Sequence, residues 1–188
     1  ASAAGDNSST VSALARHYYR IRDGLGFNKS PESYGAFPAD PYSHTPGHAG
    51  AQQPGMTGQV KEEILTRFGE LGIHLEKGAL RLDPSLLRRQ EFRPEPDSYR
   101  YVDVAGNWQT LPLAADSLAF SWCQIPFIYE LAEGKEPAIT IYYSSGEQVT
   151  IQGLKLSPEE TRNITARDGT VSNIRIGLNP EALLRTED

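Results

Sequence analysis

A single cysteine, Cys123, stands among 188 residues, so no disulfide can close within the chain and no cysteine-rich metal site can form. Its neighbours Phe120, Trp122 and Ile125 are apolar and supply no base or positive charge, which marks a structural thiol rather than a nucleophile. Basic residues are also in short supply: 18 Lys and Arg face 24 Asp and Glu, for a net charge of -6. No basic cluster occurs, which argues against nucleic acid as a partner and against an anionic membrane surface. Unbroken apolar runs reach only a few residues, too short to span a bilayer. Ala1–Thr10 has neither the basic start nor the apolar stretch of a secretory signal; in a fragment that says nothing of where the whole protein resides, so localisation stays open between settings, with a soluble, cytoplasmic one favoured.

What is present reads as three regions. The hydrophobic share of 38% and charged share of 22% are ordinary for a globular protein with one or two cores. Residues 1–10 are small and polar and read as a flexible N-terminus. Val11–Ile21 carries an apolar stripe at helical spacing (Val11, Leu14, Ala15, Tyr18, Tyr19, Ile21), with Ser9 or Thr10 as cap and Asp23-Gly24 as stop. Thr57–Phe68 reads as a second helix, with Val60, Ile64, Leu65 and Phe68 on one face. Glu62 and Glu63 lie near its start and Arg67 near its end, as the helix dipole favours.

Between the two helices, Leu25–Gly58 has no periodic pattern and is dense in glycine and proline. It nevertheless holds Phe27, Tyr34, Phe37 and Tyr42, which a disordered linker lacks, and it interleaves Asp40, His44, His48, Gln52 and Gln53. A long loop of that make-up is expected to be ordered and functional. Asp40 is stiffened by flanking prolines and suits a polar site role. His44 and His48 are four apart, but Pro41, Pro46, Gly47 and Gly50 exclude the helix that would align them on one face, so no metal site is expected. Thr57-Gly58 opens the second helix, where free N–H groups and a positive dipole end suit an anion. Glu62, Glu63 and Glu70 are read as solvated helix-face residues rather than a catalytic pair.

From Ile73 the pattern changes to short strands: His74-Leu75, Ala79–Leu82, Ser98–Val104, Leu118–Trp122, Phe127–Leu131, Ala138–Tyr143, Gln148–Ile151 and Val171–Leu178. Ile139, Ile141 and Tyr143 alternate with Thr140 and Tyr142, and turn residues such as Ala105-Gly106-Asn107 and Ser144-Ser145-Gly146 separate the runs. The expected fold class is α+β: a helix-loop-helix segment over residues 11–72, then an antiparallel β-sandwich over residues 73–188. Trp122 is expected in the core, and Trp108, beside the Gly106-Asn107 turn, on the surface.

The order of elements resembles a known family. Tyr34-Gly35-Ala36-Phe37-Pro38-Ala39-Asp40-Pro41-Tyr42 precedes a glycine-rich stretch, Thr57-Gly58, a helix, Gly72-Ile73 and Gly78-Ala79-Leu80-Arg81-Leu82-Asp83-Pro84. This is similar to the C-terminal end of the (α/α)6-barrel enzymes of the cellobiose and chitobiose phosphorylase type. The resemblance implies that residues 11–72 are the end of a helical barrel whose remainder lies elsewhere in the same chain or in a partner. It implies that Thr57 and Gly58 contact inorganic phosphate as a co-substrate, and that Asp40 and Tyr42 lie near a sugar-binding cleft. His44, His48, Gln52 and Gln53 would add hydrogen bonds to the sugar. Gly50–Met56 replaces the family's tryptophan-rich run, and Gln59, Val60 and Lys61 replace its small residues, so hydrolysis and phosphorolysis both stay open. The family's catalytic acid lies on an earlier part of the barrel and has no counterpart here. The expected function is therefore the C-terminal segment of a carbohydrate-active enzyme, acting on carbohydrate and completed by the rest of its barrel. The alternative is a stand-alone carbohydrate-binding or structural β-sandwich, with Trp108 in a stacking surface.

Overall fold

The computed structural model of the protein describes residue 10, residues 13–19 and residues 65–184. The chain divides into two compact units, Ala1–Gly69 with Thr186–Asp188, and Glu70–Arg185. In the first, residues 13–19 and the stretch beginning at residue 65 are helical. The second helical stretch runs on to residue 70, past the end read from Phe68. Leu14 and Leu65, both assigned to apolar stripes, are 63% and 69% exposed, whereas Tyr19 is buried.

The second unit is strand-rich. Its strands are β1 (Ile73–Glu76), β2 (Ala79–Leu82), β3 (Asp97–Val102), β4 (Trp108–Leu113), β5 (Ser117–Trp122), β6 (Ile125–Leu131), β7 (Ala138–Tyr143), β8 (Gln148–Gln152) and β9 (Val171–Leu178). They form two hairpins, β1-β2 and β3-β4, and a five-stranded sheet in the order β5-β6-β9-β7-β8. The pairing corrects the expectation of a purely antiparallel unit: β6 and β9 run parallel, with Phe127 opposite Ile174 and Tyr129 opposite Ile176. A parallel pair needs a crossover, and here the chain makes β7, β8 and the helix Pro158–Ala166 before β9 enters the middle of the sheet.

Two elements were not foreseen. The helix starts at Ser157, whose hydroxyl accepts from the Glu160 amide while Glu160 accepts from the Ser157 amide, with proline in the first turn. That capping box is legible in Ser157-Pro158-Glu159-Glu160. Strand β4 contains Pro112, which speaks against a central strand but is tolerated in a two-stranded hairpin with free edges.

Cross-strand register sorts the sheet into two faces. Phe120, Phe127, Tyr129, Ile139, Ile141, Ile174 and Ile176 share one of them. Phe127, Tyr129 and the four isoleucines are fully buried. Phe120 stacks on Phe127, and half-buried Trp122 meets Phe127 edge to face. Leu80 and Leu82 of β2 and Ile164 of the helix are buried as well. The Leu80 amide donates to the Thr161 hydroxyl at 2.8 Å, tying hairpin to helix. Tyr129 reaches through the layer and its hydroxyl donates to the Leu71 carbonyl at 2.6 Å. Beside it Gly72 adopts φ +74°, and a Cβ there would lie 2.1 Å from the Asp83 carbonyl oxygen. Only glycine meets both conditions. The opposite face of the sheet carries Ser121, Glu130 and Arg175, and the β3-β4 hairpin lies over it.

Candidate functional site

Asp40, Tyr42, His44, His48, Gln52, Gln53, Thr57 and Gly58 all lie outside the described residues. The β3-β4 hairpin turns on Asp103. Its carboxylate accepts from the amides of Ala105 and Asn107 at 3.0 and 2.9 Å and from the Gln109 side chain at 2.8 Å. These bonds, that from Gln109 foremost, hold the carboxyl below its ordinary value. An aspartate bonding its own turn in this way fixes the loop, and with it the register that sets Val102 opposite Trp108 and Arg100 opposite Thr110.

Strand alternation then separates two hairpin faces. Tyr99, Tyr101, Leu111 and Leu113 turn one way. The two tyrosine rings stack with centroids 6.0 Å apart, the Tyr99 hydroxyl meets the Ser121 hydroxyl at 3.0 Å, and Leu113 is buried. A second anchor comes from Arg175, which pairs with Glu130 and donates to the Pro112 carbonyl at 3.1 Å. Ser98, Arg100, Val102, Trp108, Thr110 and Pro112 turn the other way, and all but Val102 are exposed. Trp108 is 67% exposed, and the Arg100 guanidinium carbon lies 4.9 Å from the centre of its ring. Among the described residues no carboxylate pairs with Arg100. A large aromatic ring and an unpaired guanidinium are thus presented together on a pinned hairpin.

Two depressions are weaker sites. A cleft of about 270 Å³ is lined by Tyr101, Asp103, Gln109, Gln124, Ser144 and Gly169, among others. Its polar groups are engaged in holding loops together: Gln124 donates to the Asp103 carbonyl at 3.2 Å, and Ser144 to the Gly169 carbonyl at 2.5 Å. Gln124 Oε1 has no partner but is sealed from solvent. Cys123 and Gln124, both at positive φ, make the two-residue β5-β6 turn. Burial pushes the Cys123 thiol up, against a smaller opposite pull from Arg167, which suits a structural thiol. A groove of about 800 Å³ runs past Lys77, Lys155 and Pro158, but the capping box already occupies the helix N-terminus there.

A glycosidase acid is a carboxyl held above its ordinary value. Asp83, Asp103 and Asp168 are all displaced downward. Burial pushes Asp83 up, but hydrogen bonds from Ser85 and Arg81 outweigh it. Among the described residues no group of three or more His, Cys, Asp or Glu could hold a metal ion, and no helix is long and apolar enough to cross a membrane.

No protein-family model matches the chain, and no curated protein matches it by sequence. Of the surface features, Trp108 was legible from its turn. Arg100 was missed, although counting back from the Asp103–Asn107 turn places it diagonally across from Trp108 on the same face.

Proposed function

We propose that the chain is the C-terminal segment of a carbohydrate-active enzyme, a cytoplasmic glycoside hydrolase or phosphorylase. Its helices would end an (α/α)6 barrel, and its strand-rich unit would be the sandwich-type domain that closes the fold. The observation that carries this reading is the exposure of Leu14 and Leu65 on helical residues, at 63% and 69%, beside a strand-rich unit whose own core is closed. Exposed leucines on helical residues are side chains that a further layer of helices would cover, and the remaining barrel helices are the layer that the resemblance supplies.

On this reading Asp40, Tyr42, His44, His48, Gln52 and Gln53 line one wall of the cleft, and Thr57 and Gly58 contact inorganic phosphate if the enzyme is a phosphorylase. The catalytic acid comes from the missing part. The test is to express the chain alone and together with its upstream coding sequence, and to assay both for release of reducing sugar or sugar phosphate from glycosides. Turnover is expected only in the longer protein. Turnover by the chain alone would overturn the reading.

A free-standing carbohydrate-binding module is the second reading, favoured by the exposed indole of Trp108. It requires the chain alone to be monomeric, to bind polysaccharide and to bind no apolar dye.

A further inference from the structure

We propose that the outward face of the β3-β4 hairpin is a binding site for an acidic sugar chain. Trp108 would stack on the face of a pyranose ring, and Arg100 would fork to the carboxylate of a uronate unit. The proposal rests on the carbohydrate reading above and names the class of sugar that this face would take.

The chemistry follows from four features of the face. First, the indole stands in mixed surroundings. On its face Val102 lies opposite it, exposed Thr110 is two residues along its own strand and Arg100 is diagonal to it, which is not the contiguous apolar patch that another protein's core residues would cover. A sugar ring matches such a surface, offering C–H bonds to the aromatic face and hydroxyls to its polar border.

Second, the cation has no anion. Arg100 pairs with no carboxylate among the described residues, in a chain whose net charge is -6. The other residues of its face, Ser98, Val102, Trp108, Thr110 and Pro112, carry no charge. With so many acids available to the sequence, an unmatched arginine fixed on a tryptophan is complementary to an anion from outside.

Third, the mode of attachment leaves the donors free. The Arg100 guanidinium carbon lies 4.9 Å from the indole centre; a guanidinium that meets a ring with its flat face keeps its N–H groups in the plane, in the fork that fits a carboxylate with two parallel hydrogen bonds. Fourth, the platform is already ordered. Asp103 fixes the turn, Tyr99 is tied to Ser121, and the Pro112 carbonyl is held by Arg175, so little is lost in ordering it when a ligand arrives.

The overall negative charge repels a polyanion at long range. Binding is therefore local, confined to the pair, and weakened by added salt. The probes are an oligogalacturonate and a neutral cello-oligosaccharide of equal length, titrated into the chain with tryptophan fluorescence as readout. Trp108→Ala and Arg100→Lys are measured in parallel, and circular dichroism checks that each variant is folded.

The oligogalacturonate is expected to perturb the fluorescence, and Trp108→Ala to remove that response. Arg100→Lys is expected to weaken the oligogalacturonate about tenfold, the loss expected for a charged hydrogen-bond pair, and to leave the neutral oligosaccharide unchanged. If the neutral sugar binds as tightly and is equally indifferent to Arg100→Lys, the acidic specificity is wrong while the carbohydrate reading stands. If poly-glutamate competes as well as the uronate, the site is ionic only and the proposal fails. If no glycan binds and both variants merely lower the melting temperature, the pair is a hairpin brace and the proposal fails. The turnover assay of the longer protein then decides the carbohydrate reading independently.

Discussion

Leucines on the helical residues of the first unit and isoleucines on the strands of the second meet opposite surroundings, although Tyr19 of the helical residues is buried. On the helices, Leu14 and Leu65 stand mostly in water. On the strands, Phe127, Ile139, Ile141, Ile174 and Ile176 are wholly enclosed, and of the large hydrophobics only Leu75 and Trp108 are strongly exposed. Both regions carry clear apolar periodicity. The sheet's apolar face is tied to the segment before the β1-β2 hairpin by the Tyr129–Leu71 hydrogen bond, and Gly72 lets that hairpin close on Asp83. Periodicity reports which face is to be buried. Only the count of remaining elements reports whether the chain itself can bury it.

Substitutions are expected to have their largest effects in the strands. Ile174→Ala empties a fully buried position in the central strand β9 and is expected to cost about 2–5 kcal/mol, read from the urea midpoint of the strand-rich unit. Gly72→Ala demands positive φ of a residue with a Cβ and drives that atom into the Asp83 backbone; roughly 2–4 kcal/mol is expected in the same measurement. Tyr129→Phe leaves the Leu71 carbonyl without its donor and is expected to cost about 1–2 kcal/mol.

Tyr129 also gives the unit an alkaline limb. Burial, and to a smaller extent the charge of Asp83, raise its hydroxyl above its ordinary value of 10.0. The folded state therefore keeps a proton that the unfolded state gives up first. The stabilisation is fully present below pH 10.0 and is lost as pH rises above it. In Tyr129→Phe that part of the decline is expected to be absent from an unfolding series taken above pH 10.0. The smallest effect belongs to the helices: Leu65→Gln is expected to change the stability of the isolated chain by no more than about 0.5 kcal/mol, while lowering the binding of an apolar dye. A loss comparable to Ile174→Ala would mean that Leu65 is already buried, and the contrast would fall.

How much was legible in the sequence follows the same physics. Ala79–Leu82, Ala138–Tyr143 and Val171–Leu178 could be bounded to the residue, because alternation and glycine turns are local properties. The parallel pairing of β6 with β9 could not be read, since nothing within either strand records which neighbour it takes. Strand β4 was hidden by Pro112, although a free hairpin edge tolerates it. The Pro158–Ala166 helix was visible in its capping box, but its short apolar face, with Ile164 buried, gave too little periodicity to stand out. For the site, Trp108 was found from the turn beside it, whereas pairing it with Arg100 required the hairpin register.

The most direct test of the account is amide hydrogen exchange on the chain, measured alone and again in the longer protein that includes its upstream sequence. In the chain alone, amides of β6, β7 and β9 are expected to exchange only on global unfolding, and those of helical residues 13–19 and 65–69 orders of magnitude faster. In the longer protein the helical amides are expected to slow towards the strand values as their apolar faces are covered. Equal protection of helices and strands in the chain alone, unchanged by the added sequence, would contradict the account: the helices would then need no barrel.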